Sequence, residues 1–122
     1  MRKSIKIGDK EFVMQSSAYT QFKYKNDTGR SLIKDLTEIG KKYEKTQFNE
    51  EQALDNFDEF EDFIMLSLRI AYIMCLEAKS VNSSFEDFLM QIDDYIGDTN
   101  WISEVVELAI SPLSRNLQAI QK

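Results

Sequence analysis

The sequence predicts a mainly α fold: an N-terminal β-hairpin followed by about five helices packed around a central apolar helix at about residues 50–79. Three observations predict it. Between Phe57 and Ala78, apolar side chains recur at helical spacing through Phe57, Phe60, Ile64, Leu68, Ala71, Cys75 and Ala78. From Phe63 to Leu76 only Ser67 and Arg69 interrupt the apolar run, so this half of the helix is expected to be enclosed by others. Upstream, Ile5 and Ile7, then Phe12 and Met14, recur every second residue on either side of Gly8-Asp9, the pattern of a tight hairpin.

Each element has a local reason. A lone hairpin is marginal in water, so its apolar face should lie on the helices. Ser16 and Ser17 can cap a short helix, Ala18–Asn26, with Tyr19 and Phe22 facing inward, and Gly29 suits the left-handed position that ends it. Ser31 opens the next helix, where Leu32, Ile33, Leu36 and Ile39 keep the helical period. Gly40 is expected to terminate that helix, leaving Lys41–Phe48 as a polar loop. Asn49, followed by Glu50, Glu51 and Gln52, resembles a capping box and can lead into the central helix. Ser83-Ser84-Phe85-Glu86 is a second capping box, opening a helix Phe85–Ile96 that Gly97 ends; Phe85, Phe88, Leu89, Ile92, Tyr95 and Ile96 form its apolar face. Thr99 or Asn100 caps the last helix, whose stripe is Trp101, Ile102, Val105, Leu108 and Ala109, and Pro112 closes or bends it. Residues 1–111 then form one helical domain with the hairpin at 1–15. Residues 112–122 form a C-terminal tail, helical or partner-binding, in which Leu113, Leu117 and Ile120 keep a helical spacing.

Composition bounds the function. A chain of 122 residues with 43% hydrophobic and 30% charged residues can bury one core without metal or disulfide staples. The apolar run in the central helix is short of the roughly 20 residues that span a bilayer, and Arg69 sits inside it, so no membrane span is expected. The polar start MRKSIKIGDKEF lacks the apolar core of a secretory signal, and the expected location is the cytoplasm. Histidine is absent, which excludes Ser-His and Cys-His pairs and His-containing zinc sites within the chain. The single Cys75 reads as a small buried hydrophobe in a reducing compartment; a reactive thiol is the sharper alternative, but nothing basic flanks it. The net charge of −6 is uneven: residues 1–45 hold 11 Lys/Arg against 6 Asp/Glu, and residues 46–122 hold 4 against 15. An acidic chain is a poor nucleic-acid binder, because phosphate neutralisation supplies most of that affinity. The basic first third can meet an acidic partner, dock on the chain's own acidic part, or be a set of solvated faces.

Few residues carry chemistry. The carboxylate pairs Asp58/Asp62 and Glu59/Asp62 fall on the wet face of the central helix, where acid–base catalysis has no pocket. Asp93–Asp98 lacks the alternation and the Glu of a calcium loop, and four glycines make no phosphate cradle. No catalytic, cofactor or metal residues are therefore assigned, and the chain is expected not to be an enzyme. Arg69, amid apolar residues, either snorkels, pairs with a neighbouring carboxylate or meets a partner. Two surfaces remain for binding. One is the stripe Trp101, Ile102 and Val105, continuing through Leu113, Leu117 and Ile120, which serves either the core or a partner. The other is the open edge of the hairpin.

Ser17-Ala18-Tyr19-Thr20-Gln21-Phe22-Lys23-Tyr24-Lys25, followed by Gly29-Arg30-Ser31-Leu32-Ile33-Lys34-Asp35-Leu36, resembles the tail assembly chaperones of long-tailed (siphovirus-type) phages and prophages of Gram-positive bacteria. Members typically open with a hairpin of the form I-x-I-x-G-K-E-Y/F and continue with a stretch similar to A-x-T-x-x-x-Y-K-x-x-F-G-R-D-L-L-K-D-L. Ala18, Thr20, Tyr24, Lys25, Gly29, Arg30, Leu32, Lys34, Asp35 and Leu36 fit it; Thr28 and Ser31 depart from the usual aromatic and Asp. An apolar helix around Leu68–Met74 and a short acidic helix follow, with Phe88 where the family often has Trp. The resemblance implies a non-catalytic assembly factor that works in the host cytoplasm and is absent from the mature virion. It implies binding to the long helical tape measure protein and recruitment of the major tail protein. Many members are made in two lengths through a ribosomal frameshift near the end of the short form; if that holds for this chain, Leu113–Lys122 lies at the junction. Weak repeated sites on a long partner would gain from homo-oligomerisation through avidity. The reading from another class is a small acidic inhibitor or antitoxin that occludes a basic site on its partner through Glu50–Asp62, where seven of thirteen residues are acidic.

Overall fold

In the computed structural model the backbone is described for residues 1–46 and 57–120, and side chains for 1–42 and 61–113. The order is β1 (Arg2–Ile7), β2 (Lys10–Gln15), α1 (Ala18–Thr28), α2 (Leu32–Thr46), α3 (Phe57–Glu77), α4 (Phe85–Met90) and α5 (Asn100–Ile120). This is the expected mainly α fold with an N-terminal hairpin.

β1 and β2 pair antiparallel with Ile5 opposite Phe12 and Ile7 opposite Lys10, leaving Gly8-Asp9 as the two-residue turn. Gly8 has φ +63°, and Asp9 stays at negative φ, the combination a type II′ turn needs. Alternation then puts Ile5, Ile7, Phe12 and Met14 on one buried face, with Ser4, Lys6 and Glu11 in water. The Met1 amino group donates to the Ser16 carbonyl and Ser16 N–H to the Met1 carbonyl, adding a last rung to the ladder. β2 lies on α3 and β1 on α5. The marginal hairpin is thus held by the helices on which it buries its apolar face.

α3 is the centre. Phe63, Ile64, Leu68, Ile70, Ala71, Ile73, Met74 and Cys75 are all buried, so its C-terminal half is enclosed as the apolar run predicts. The Asn49 capping box, the expected start near residue 50 and the side chains of Phe57 and Phe60 lie outside the described residues. The helix ends in a left-handed residue, Lys79 at φ +61°, with Ser80 N–H bonded to the Cys75 carbonyl at 3.0 Å. That is the Schellman stop, made here with a lysine where glycine is the easier choice.

Four local expectations are corrected. α1 does begin after Ser17, whose hydroxyl accepts Tyr19 N–H at 3.1 Å, and ends at Gly29 with φ 72°. Tyr19 and Phe22, however, point outward, and Thr20 and Tyr24 are the buried residues. Polar bonds set this phase: Thr20 Oγ1 accepts Ser17 N–H, and both hydroxyls donate to Glu77 at the end of α3. α2 does not stop at Gly40 but runs on to Thr46, so residues 41–46 of the expected loop are helical. An interior glycine costs only about 1 kcal/mol, and the face of Leu32, Leu36 and Ile39, all buried, outweighs it; Ile33 is exposed. α4 opens at Phe85 as expected, capped by Ser84, but ends at Met90, short of the expected Ile96. Beyond it Ile92, Tyr95 and Ile96 still pack on the core from irregular backbone, while Asp94 accepts Gly97 N–H at 2.8 Å.

The fourth concerns Pro112, which does not close α5: the helix continues through it to Ile120, so the tail as far as Ile120 takes its helical alternative. A proline here cannot bond the Leu108 carbonyl four residues back. The buried Ser16 hydroxyl fills the gap, donating to that carbonyl at 2.6 Å, and Ser111 Oγ adds a contact at 3.2 Å. The end of the hairpin therefore supplies the bond that the helix lacks.

Candidate partner-binding surfaces

The stripe that could serve either the core or a partner is core in its first half. Trp101, Ile102 and Val105 are buried in the single subunit, with Leu108 and Ala109 beside them. The Trp101 indole N–H donates to the Tyr95 carbonyl at 3.0 Å, so both its ring and its polar atom are engaged. Of the two roles open to these residues, the fold gives them the core one: α5 packs against α2, α3 and β1, which cover its apolar face. Leu113 is half-buried, and the side chains of Leu117 and Ile120 lie outside the described ones.

The motif residues of α1 and α2 converge. Asp35, buried on the first turn of α2, takes the Arg30 guanidinium in two bonds, Nε to Oδ2 at 2.8 Å and Nη2 to Oδ1 at 2.9 Å. Tyr24, buried on α1, donates its hydroxyl to the same Oδ2. Gly29 makes the corner between the helices, and Leu32 and Leu36 lie buried beyond it; Ala18, at the head of α1, is exposed and outside the latch. Bonds from Arg30 and Tyr24 hold the Asp35 carboxyl below the usual carboxylate range, against the opposing effect of burial. Burial and the adjacent carboxylate push the Tyr24 phenol up, so it stays a neutral donor. The arrangement is a latch across the α1–α2 corner, in which Arg30 and Tyr24 both bond the Asp35 carboxylate.

A pair of exposed aromatic side chains lies instead on α1. Phe22 is 65% and Tyr19 50% exposed, with ring centroids 6.3 Å apart. A shallow cleft of about 450 Å³ lies beside them, lined by Ala18, Gln21, Phe22, Lys25 and Asn26. Sequence reasoning misses this face because aromatic spacing alone does not say which way a helix turns; the deciding signal is the pair of hydroxyls, Ser17 and Thr20, that bind α3.

A second groove, of about 530 Å³, is lined by Thr28, Arg30, Asp62, Met65, Leu66, Arg69 and Phe85. Arg69 lies in it with its guanidinium carbon 4.1 Å from the centre of the Phe85 ring, a cation–π contact. Of the expected roles for Arg69, pairing with a neighbouring carboxylate is not seen among the described residues. The hairpin edge is partly covered: Ser80 Oγ donates to the outward Val13 carbonyl of β2. Burial pushes the Cys75 thiol up to about 12, which removes its nucleophilic form at neutral pH.

Among the described residues, no three His, Cys, Asp or Glu side chains converge as metal ligands, and no helix is long and apolar enough to cross a membrane. Comparison with protein-family models, with characterised proteins and with solved structures finds no match to this chain.

Proposed function

We propose that the protein is a non-catalytic tail assembly chaperone that works in the bacterial cytoplasm, is absent from the mature virion, binds the tape measure protein and helps recruit the major tail protein. The observation that carries this reading is the exposed Tyr19–Phe22 pair on α1, inside the stretch that resembles the family. Large aromatic rings left in water beside a cleft favour burial against an apolar partner, and the tape measure protein offers long apolar helical faces. The Arg30–Asp35–Tyr24 latch supports the same reading, because it gives the resembling residues one shared role, that of holding α1 at a set angle to α2.

Co-expression with the product of a long helical reading frame immediately downstream tests it. Phe22→Asp should abolish co-purification while leaving the thermal melt within about 2 °C, since the ring is already mostly in water. Glu61→Lys, on the acidic stretch, should have little effect, and binding should survive roughly 0.5 M salt. Capture lost through Glu61→Lys and through salt, but not through Phe22→Asp, would replace the chaperone with the acidic inhibitor.

A further inference from the structure

We propose that the groove on α3 is a homodimer interface, in which α3 packs antiparallel against α3 of a second copy of this chain. The argument begins with spacing. Asp62, Met65, Leu66 and Arg69 occupy positions i, i+3, i+4 and i+7, so they share one face of α3 and line one groove. Two turns put the acid and the base about 10 Å apart along the axis, too far to neutralise each other directly. Neither makes a salt bridge with any described residue. Between them Met65 is 39% exposed, and Leu66 and the Phe85 ring at the groove's side are half-buried.

Along the chain the stripe runs acid, apolar, apolar, base; reversed, it runs base, apolar, apolar, acid. It is therefore its own complement. A two-fold axis at the Met65–Leu66 turn sets Asp62 against Arg69 of the second copy and Arg69 against Asp62 of the second copy, with the methionines packing between. That is the self-complementarity an isologous dimer requires. The Phe85 ring already holds the Arg69 guanidinium in place, so little side-chain freedom remains to be lost when a carboxylate arrives. The other charge in the groove, Arg30, is bound in two bonds by Asp35 and does not compete for the incoming acid. A foreign partner would need to carry this stripe in mirror order; a second copy carries it by construction. The inference is independent of the α1 surface proposed above.

Sedimentation of the full chain across concentrations tests it. The expected result is a reversible rise in mass from 14.2 kDa towards twice that value. Asp62→Arg makes the stripe wholly basic and Arg69→Glu makes it wholly acidic. Each should weaken self-association at least about tenfold, since like charges then face each other. Mixing the two variants should restore a dimer. The substituted base at position 62 of one variant then faces the substituted acid at position 69 of the other, while the native Arg69 and Asp62 still meet. Circular dichroism melts check folding. If Arg69→Glu unfolds, then Met65→Glu, at an exposed site, and Asp62→Arg decide between them. A chain that stays at monomer mass up to millimolar concentration overturns the proposal. So does a dimer indifferent to these substitutions, or a mixture that fails to recover. A monomer whose groove residues respond only to a foreign amphipathic helix would assign the groove to that helix and overturn it equally.

Discussion

Ser16→Ala tests the link between the hairpin and the proline in α5. In the native fold the Leu108 carbonyl lacks its usual donor four residues on, because Pro112 occupies that position, and the buried Ser16 hydroxyl takes its place at 2.6 Å. Removing that hydroxyl leaves a buried carbonyl with only the longer Ser111 contact at 3.2 Å. An unmet buried acceptor costs about 1–3 kcal/mol, and the remaining contact brings the expectation to about 1–2 kcal/mol. For 122 residues the unfolding entropy is about 0.26 kcal/mol per kelvin, so the melt should fall by roughly 4–8 °C. The discriminating step is the cycle with Pro112→Ala. An alanine at that position has an N–H and can make the helical bond to Leu108, so Ser16→Ala in that background should cost only about 0.5 kcal/mol, a coupling of about 1 kcal/mol. The assay is urea denaturation of all four proteins, read as midpoint at constant slope. Additive costs, or a Ser16→Ala effect below about 0.3 kcal/mol with Pro112 in place, would refute the account.

Three further outcomes follow from the geometry. Asp35 is held below its unfolded value, so its contribution is present above about pH 4 and is lost as pH falls through the lower folded value; Asp35→Asn should therefore lower stability at pH 7 and flatten the acid limb of a stability–pH curve. Gly8→Ala would press a Cβ into the Asp94 carbonyl oxygen, well inside van der Waals contact, at a backbone φ of +63°, so a loss of at least about 2 kcal/mol is expected, read by thermal melt. Lys79→Gly relieves the left-handed strain at φ 61° that ends α3 and should stabilise the chain by about 1 kcal/mol; a loss instead would show that the lysine side chain contributes more than its backbone costs.

The hairpin, its turn and the buried half of α3 are legible because each rests on a strong periodic signal within a few residues. Ile5, Ile7, Phe12 and Met14 need only alternation, and Phe63–Leu76 only an uninterrupted apolar run. Gly40 misleads as a stop signal, and Pro112 does not close α5. Breaker residues report a local cost of about 1–3 kcal/mol, which a packed face or a distant hydroxyl can offset. The candidate surface is less legible still. Trp101, Ile102 and Val105 form an apolar stripe that either a partner or the core could cover, and no periodic argument separates the two. Tyr19 and Phe22 form a weaker stripe, whose spacing alone points to the wrong side of α1.

Which residues are apolar, how often they recur and where the chain can turn are local properties, and they specify a hairpin and a set of helices around α3 without further information. Which face of α1 meets water, and how α5 passes Pro112, depend on groups far apart in the chain: Thr20 with Glu77 and Ser16 with Leu108. Those contacts exist only once the chain is folded, because hydrogen bonds and ring contacts act over a few ångströms and carry no signature at sequence separations of tens of residues.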